Sequence, residues 1–223
     1  SAGTKLELTP ESCIDFQLKL GSDIIMILDD CTKPDMPLAE QLKSVERTVR
    51  WAKRAREHFD KATAGMPQKP LLFGIVQGGA DRELRRQCAS ELAKFEFDGY
   101  GFGGFPINEK NELQVETMQA VVDDTPAEAI KYAMGVGTPS QIVTCVQMGY
   151  DLFDVVIPTR EARHRKLYVW NADPATVDIE GEFYHSATMK NLSLQHEKGP
   201  IDQYCDCSTC TNYSAGYVHA MFR

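Results

Sequence analysis

The chain has 223 residues and a formal net charge of −8, with 43% hydrophobic and 25% charged residues. This composition is ordinary for a soluble globular domain and argues against a mainly disordered chain. An acidic balance disfavours a non-specific nucleic-acid coat protein, which would be basic. The longest apolar runs, at residues 24–28 and 71–76, fall far short of the roughly 18 residues of a membrane-spanning helix, so we expect no membrane partner.

Strand-length apolar runs alternate with amphipathic stretches along the chain. Each run is nearly continuous in apolarity, as buried parallel strands are. The predicted strands are residues 24–28, 71–76, 99–102, 132–136 and 152–157. Between them apolar residues recur at helical spacing, as in Leu84, Cys88 and Leu92. The order predicts an α/β fold with a parallel sheet, either a (β/α) barrel or a doubly wound sheet.

Three Thr-Pro pairs predict helix starts, because Thr caps a helix N-terminus and Pro fits the first turn. They are Thr9-Pro10, Thr125-Pro126 and Thr138-Pro139. After residue 171 the strand and helix signals weaken up to residue 202, which indicates an excursion from the α/β pattern. We therefore divide the chain into residues 1–170, with the α/β pattern, and residues 171–223.

Polar residues and glycines follow the predicted strands. Asp29 and Asp30 come after the first strand, Gln77 with two glycines after the second, and Gly103-Gly104 after the third. Because ligand sites of parallel α/β folds lie at the carboxyl ends of the strands, we expect these residues to converge. Tight turns and loop caps are the alternative explanation for each of them taken singly.

Asp154 interrupts the apolar run of the fifth strand. An unpaired buried carboxylate is costly, so this residue predicts a site, a cation or water in front of it. A buried structural Asp that caps a loop or pairs with Arg160 is the alternative. The segment 160–166 is locally basic on an acidic protein, which favours phosphate contact over a merely solvated loop.

Three thiols, those of Cys205, Cys207 and Cys210, lie within six residues. This spacing predicts one tetrahedral zinc ion with a structural role, and a fourth ligand is required. His219 is the nearest candidate by spacing. The seven cysteines do not form a disulfide framework, so we expect a reducing compartment and a cytoplasmic location.

Several strings, in order over nearly the whole chain, resemble tRNA-guanine transglycosylases. They are Gly21-Ser22-Asp23-Ile24, Leu28-Asp29-Asp30-Cys31-Thr32, Arg47 with Trp51-Ala52-Lys53-Arg54, Phe73-Gly74-Ile75-Val76-Gln77-Gly78, Phe97-Asp98-Gly99-Tyr100 with Gly103-Gly104, Met134-Gly135-Val136-Gly137, Phe153-Asp154-Val155-Val156-Ile157-Pro158-Thr159-Arg160 and Cys205-x-Cys207-x-x-Cys210. The resemblance implies a (β/α)8 TIM-type barrel with an inserted zinc-binding subdomain, here residues 1–170 and 171–223.

The resemblance also implies a pentosyltransferase that exchanges the wobble guanine of a tRNA anticodon loop for a 7-deazaguanine base, preQ1 or queuine. Asp154 matches the family nucleophile, which forms a covalent ribosyl-aspartate intermediate. Ile107 is bulky where the family distinguishes its bases, which favours preQ1. The family is usually dimeric, so a homodimer or heterodimer is expected.

Other positions match family residues that bind the base or the RNA. The base-binding matches are Asp29, Gln77, Gly103, Gly104 and Met134, and the RNA-binding matches are Gly135, Thr159, Arg160 and Arg163. Asp29 would accept N–H donors from the base, Gln77 and the backbone of Gly104 would face its acceptor edge, and Met134 would pack on its face. The zinc ligands would be the three cysteines.

The family's general acid, on an Asp-Ser-Gly-Gly motif, is expected upstream of Ser1, and its fourth zinc ligand, a His, beyond Arg223. His219 matches a different family position. We therefore expect the chain to be a piece of the enzyme, lacking both ends and inactive alone. A non-catalytic paralogue that binds tRNA beside a catalytic partner is the alternative function.

Overall fold

The computed structural model describes residues 7–33 and 35–222. Its helices are Pro10–Leu20 (α1), Leu38–Ala62 (α2), Arg82–Ala93 (α3), Val115–Asp123 (α4), Pro139–Met148 (α5), Ile157–Arg163 (α6), Ser208–Asn212 (α7) and Ala215–Met221 (α8), with a 3-10 helix at Leu192–His196. Its strands are Ile24–Met26 (β1), Leu71–Val76 (β2), Gly99–Phe102 (β3), Ile130–Met134 (β4), Leu152–Asp154 (β5), Lys166–Trp170 (β6) and Tyr184–Thr188 (β7). Within this part of the chain, no helix combines the length and apolarity that crossing a membrane requires.

The chain divides into two compact units. The first comprises residues 1–136 with 145–154, and the second comprises residues 137–144 with 155–223. In the first unit the five strands β1 to β5 form one parallel sheet whose spatial order equals the chain order. A doubly wound sheet reverses its strand order at a switch point, whereas a (β/α) barrel does not. The predicted parallel α/β fold is confirmed, and this sheet matches a segment of a barrel.

Helix α2 buries one face in the hydrophobic core and packs against α1 and α3. Its buried side chains recur every three or four residues, as the helical period requires, and they include Val45, Ala52, Ala55 and Phe59. Three members of this face are polar, and two of them bond to the loop after β1. Ser44 donates from Oγ to the carbonyl of Asp30, and Thr48 Oγ1 accepts from the Asp30 N–H at 3.0 Å. The helix therefore fixes the loop that follows β1.

The expected helix starts at Thr9 and Thr138 are confirmed, and Thr9 forms a reciprocal capping box with Ser12. The expected start at Thr125 is wrong. The Thr125 hydroxyl donates to the Val121 carbonyl at 2.7 Å, which closes the end of α4. Only four residues then remain before β4 begins at Ile130, too few for a helix.

Strands β2 and β3 have the predicted bounds, but β5 is shorter than predicted. It ends at Asp154, and the following residues enter α6, with Pro158 in the first turn. Asp154 is therefore the last residue of its strand. The basic segment 160–166 contributes its first part to α6, which ends at Arg163.

The second unit contains an antiparallel pair, β6 and β7, aligned over five residue pairs from Lys166–Thr188 to Trp170–Tyr184. The sequence predicted only an excursion here. Asp202 ties this pair to the segment that follows it, because its carboxylate accepts from the N–H groups of Trp170 at 2.9 Å and Tyr204 at 2.8 Å. The loop that leads to the cysteine cluster is thereby anchored to β6.

Candidate functional site

The ends of β1 and β2 meet in a direct side-chain contact. Gln77, one residue beyond β2, donates from Nε2 to Oδ2 of Asp29 at 2.5 Å. Gln77 is 2% exposed, and its own N–H donates to the sulfur of Cys88 at 3.3 Å. Two residues that were expected to converge are therefore in contact.

Asp29 and Asp30 have different environments although they are adjacent. Asp30 pairs with Arg47 at 2.5 Å on the side of α2. Burial raises the pKa of the Asp29 carboxyl above its usual range, and the bond from Gln77 only partly offsets this rise. No cation of the described residues pairs with Asp29. Its carboxylate is thus a desolvated acceptor, suited to N–H donors of a ligand.

Gly103 and Gly104 follow β3 and lie against Gln77. A Cβ on Gly103 would come within 2.4 Å of the Gln77 Nε2, so only glycine fits beside this amide. Gly104 has a φ of +93° and is exposed, which leaves its backbone open to a ligand. A Cβ built on Gly104 would lie 3.7 Å from Gln77 Oε1 and 3.9 Å from the Cys31 sulfur. Asp29, Gln77, Gly103 and Gly104 therefore form one continuous group.

Asp154 lies at the end of β5 with an exposed side chain. Its Oδ1 accepts two hydrogen bonds, from the Tyr132 hydroxyl at 2.9 Å and from the Gly135 N–H at 3.2 Å. Within its own unit no cationic side chain of the described residues pairs with it. The carboxylate is held by neutral donors and remains open to solvent, as a nucleophile needs to be.

Tyr132 was not among the predicted site residues. Burial, the hydrogen bond to Asp154 and the negative charge of that residue raise the pKa of Tyr132 to about 12. Its hydroxyl therefore stays protonated and can keep donating at neutral pH. The signal was present in the sequence, since Tyr132 precedes Met134 by two positions and shares its face of the strand.

Met134 pairs in register with Asp154 on the neighbouring strand. Its side chain extends over β3, because a Cβ on Gly101 would lie 3.1 Å from the methyl carbon of Met134 and 3.4 Å from that of Met26. The absence of a side chain at Gly101 gives these two thioethers room on one face of the sheet. Met134 is thus an apolar surface next to the Asp154 carboxylate.

The predicted RNA-binding residues Thr159, Arg160 and Arg163 lie on α6 in the second unit, and all three are exposed. Thr159 caps its own turn by donating to the Val156 carbonyl at 3.1 Å. The Arg160 guanidinium is 3.5 Å from the Glu161 carboxylate, and no carboxylate of the described residues pairs with Arg163. The helix therefore offers two accessible guanidinium groups one turn apart.

The three predicted zinc ligands converge. The sulfur atoms of Cys205, Cys207 and Cys210 all lie within 4.8 Å of one another. A tetrahedral zinc with metal–sulfur distances near 2.3 Å separates its sulfurs by roughly 3.8 Å, so the cluster fits this metal. The N–H of Cys210 also lowers the pKa of the Cys207 thiol, which favours the thiolate that a metal needs.

His219 does not join the cysteine cluster, whose members among the described residues are the three thiols. Its Nδ1 lies 2.6 Å from the Met189 carbonyl, to which it donates, and its ring is 4% exposed. Its Nε2 is buried without a partner among the described residues. His219 therefore joins α8 to the end of β7.

The family model for queuine tRNA-ribosyltransferase matches residues 1–223. The chain belongs to this family. The queuine tRNA-ribosyltransferase of Methylacidiphilum infernorum is 40% identical over 227 residues, a match that covers 99% of this chain and 56% of that protein. The relatives from Thermotoga maritima and Novosphingobium aromaticivorans are 38% and 36% identical over 99% of this chain, and it covers 54% and 55% of them.

The predicted family is thus confirmed, and the chain spans about half the length of the curated relatives it matches. The family is one of tRNA-modifying pentosyltransferases.

Arg85 was also missed as a residue of the site region. It lies on the buried face of α3, three positions before Cys88. The helical spacing of the buried residues could have predicted that this basic side chain is buried.

Proposed function

We propose that the protein containing this chain is a tRNA-guanine transglycosylase, which exchanges the wobble guanine of an anticodon for a 7-deazaguanine base. The observation that carries the proposal is the Asp154 carboxylate, which is exposed at a strand end and held by two neutral donors. Among the described residues of its unit, no cation pairs with it. The group formed by Asp29, Gln77 and Gly104 supports it, since it combines N–H acceptors with donors for a purine edge.

In the proposed reaction an oxygen of Asp154 attacks C1′ of the ribose. The bond from C1′ to N9 of guanine breaks, its electron pair goes to N9, and guanine leaves after taking up a proton. The incoming base gives up a proton and attacks C1′, which breaks the bond to Asp154 and restores the carboxylate. The two proton transfers cancel, and the sequence parallels a retaining glycosidase with a base in place of water.

Tyr132 and the Gly135 N–H hold Oδ1 of Asp154, so they orient the carboxylate for attack. Asp29 would accept from the N1–H and 2-amino groups of the base. Gln77 and the backbone of Gly103 and Gly104 would face its 6-oxo edge.

Met134 would pack on the ring face of the base. The target base must be splayed out of the anticodon loop, because its C1′ is otherwise inaccessible. Ile107, which bridges to Leu113 across the loop after β3, supports preQ1 over the bulkier queuine.

The second unit supports RNA binding in this proposal. Thr159, Arg160 and Arg163 on α6 would contact phosphates of the anticodon loop. Gly135, in the first unit, is likewise proposed to contact the RNA. Cys205, Cys207 and Cys210 would hold zinc, which when bound crosslinks the chain and acts structurally.

At the level of the whole protein, residues 1–170 would belong to a (β/α)8 barrel and residues 171–223 to a zinc-binding subdomain. The unbroken strand order of the first unit supports the barrel. A cytoplasmic location and assembly as a homodimer or heterodimer complete the proposal.

The test is exchange of labelled guanine into tRNA by the full protein that contains this chain. Wild-type protein should incorporate the label, and Asp154→Asn should reduce incorporation by at least about 1,000-fold, as loss of a nucleophile does. The control Asp151→Asn changes an acid three residues earlier that accepts from the Lys131 N–H. Full exchange by Asp154→Asn would remove the proposed nucleophile.

A further inference from the structure

Arg85 is a large basic side chain that is fully buried, with 0% exposure. Burial lowers its pKa to about 10, so the guanidinium is still charged at neutral pH. Among the described residues, no carboxylate pairs with it, and the ionisable groups that interact with it are the thiols of Cys88 and Cys31 and the phenol of Tyr150. Burial raises the pKa of each of these groups, so they are neutral at neutral pH. A buried charge without a counter-ion is costly, so its presence beside the site requires a compensating set of contacts.

Those contacts are two backbone carbonyls on either side of Gln77. Nη1 of Arg85 donates to the Val76 carbonyl at 2.6 Å, and Nε donates to the Gly79 carbonyl at 2.9 Å. The turn between them contains Gly78 and Gly79, both with positive φ. Such a turn has little conformational preference of its own, so the planar guanidinium defines its shape.

The guanidinium of Arg85 also packs on an aromatic ring. Its Cζ lies 3.8 Å from the ring centroid of Phe102, the last residue of β3. A Cβ on Gly78 would come within 2.6 Å of the Arg85 backbone nitrogen, so α3 packs directly against the turn. Arg85 therefore couples the ends of β2 and β3, the two strands that present Gln77 and Gly104.

The orientation of the Gln77 amide follows from this arrangement. Its Nε2 donates to Asp29, and its Oε1 lies on the side of Gly104. Nη2 of Arg85 approaches the same side, 3.5 Å from a Cβ built on Gly104. Because Arg85 is fully buried, its guanidinium is not accessible to a ligand that binds at the exposed backbone of Gly104.

We propose that Arg85 is a positioning residue for base recognition, acting through Gln77 by holding the carbonyls of Val76 and Gly79. The inference rests on the proposed function, since it takes the Asp29–Gln77 group as the base site. Its chemistry requires a rigid planar group whose Nε and Nη1 donate in two fixed, diverging directions, which lysine cannot do. The ligand whose affinity Arg85 controls is a purine base with an oxo group, such as guanine.

The test is a double-mutant cycle between Arg85→Lys and Gln77→Ala, with the dissociation constant of free guanine measured by calorimetry on the full protein that contains this chain. Arg85→Lys should weaken the binding of guanine about tenfold, because it removes a charge-assisted hydrogen bond that holds the turn carrying Gln77. The double variant should bind no more weakly than Gln77→Ala alone. The control Arg86→Lys, an exposed neighbour that pairs with Asp124, should stay within about twofold of wild type.

A second readout separates positioning from a general loss of structure. Arg85→Lys should also reduce the preference for guanine over 2,6-diaminopurine, which lacks the 6-oxo group, whereas a partly unfolded population lowers both affinities equally. If Arg85→Lys does not fold, Phe102→Leu takes its place, because it removes the ring under the guanidinium but leaves both carbonyl bonds. Phe102→Leu should weaken the binding of guanine about threefold.

Unchanged guanine affinity in the folded variant, or an equal loss in the Gln77→Ala background, would overturn the role of Arg85 alone. Wild-type protein that binds no guanine would overturn the proposed function and this inference together. The two failures are therefore distinguishable by the wild-type measurement.

Discussion

Gln77 and Asp29 are 48 positions apart in the chain and 2.5 Å apart between Nε2 and Oδ2. The parallel sheet causes this contact, because it brings the carboxyl ends of β1 and β2 to the same edge. Among the described residues no cation pairs with the buried Asp29 carboxylate, so its bond to the Gln77 amide contributes little to stability. The same pair is well suited to a purine edge, which offers donors and acceptors side by side.

Asp29→Asn should raise the melting temperature while it weakens guanine binding by at least about 100-fold. Burial raises the pKa of Asp29, so above the ordinary Asp pKa the ionised group destabilises the fold. The gain, about 2 °C at pH 7, should shrink as the pH falls and Asp29 becomes protonated. Thermal melts at several pH values test this.

The control for that variant is Asp30→Asn, which loses the contact with Arg47 and should not raise the melting temperature. Guanine affinity of wild-type protein should also fall with decreasing pH, at a higher pH than an unperturbed Asp would cause. A lower melting temperature for Asp29→Asn would contradict the assignment of a destabilising carboxylate.

Tyr132→Phe should reduce guanine exchange about tenfold, because it removes one of the two donors to Oδ1 of Asp154. The effect should be on kcat more than on the KM for the base, since Tyr132 contacts the carboxylate. Tyr217→Phe, a change on an exposed tyrosine of α8, is the matched control. Equal exchange by Tyr132→Phe and wild type would show that this hydroxyl does not orient Asp154.

The strands that could be predicted are those with continuous apolar runs. β2 and β3 are buried on both faces and have the predicted bounds. β7 was missed because its sequence, Tyr-His-Ser-Ala-Thr, has no apolar run, and pairing with β6 alone makes it a strand. The Thr125-Pro126 signal failed for a similar reason, since a local cap cannot form a helix where the chain must enter β4 at once.

The candidate site could be predicted where a residue is unusual for its strand, as Asp154 is, or follows a strand end, as Asp29 and Gln77 do. The partners that support these residues were harder to find. The helical period of α3 places Arg85 on the buried face, but a basic side chain at such a position is easily taken for an exposed one. Tyr132 reads as an ordinary β-strand aromatic, because its contact is to a residue 22 positions away.

Cys207→Ser should lower the zinc content of the full protein from about one equivalent to less than half, with a loss of thermal stability. The three sulfurs share one cluster, so removing one leaves too few thiolates for a closed tetrahedral shell. Cys13→Ser, at a cysteine of α1, should keep the metal. Wild-type protein with less than half an equivalent of zinc would exclude the proposed metal site.

Glu11→Gln should lower the melting temperature at pH 7 by about 2 °C but have only a small residual effect near pH 2. Arg54 holds the Glu11 carboxylate with bonds of 2.8 and 2.7 Å and lowers its pKa to about 2. A depressed pKa stabilises the fold above the ordinary value of 4.5, and this contribution is lost as the pH falls toward 2.

The comparison variant is Glu57→Gln, whose carboxylate is 4.0 Å from Lys53 on the exposed side of α2. It should change the melting temperature little at any pH. A pH-independent difference between Glu11→Gln and wild type would mean that the bond to Arg54 does not join α1 and α2 as described.

The most direct test of the account is mass spectrometry of the full protein after incubation with tRNA and acid quenching, followed by peptide mapping. Bond formation between Asp154 and C1′ predicts a ribosylated peptide that contains Asp154, present in wild type and absent in Asp154→Asn. A ribose attached to a different residue, or rapid base exchange without any adduct in wild type and Asp154→Asn alike, would contradict it.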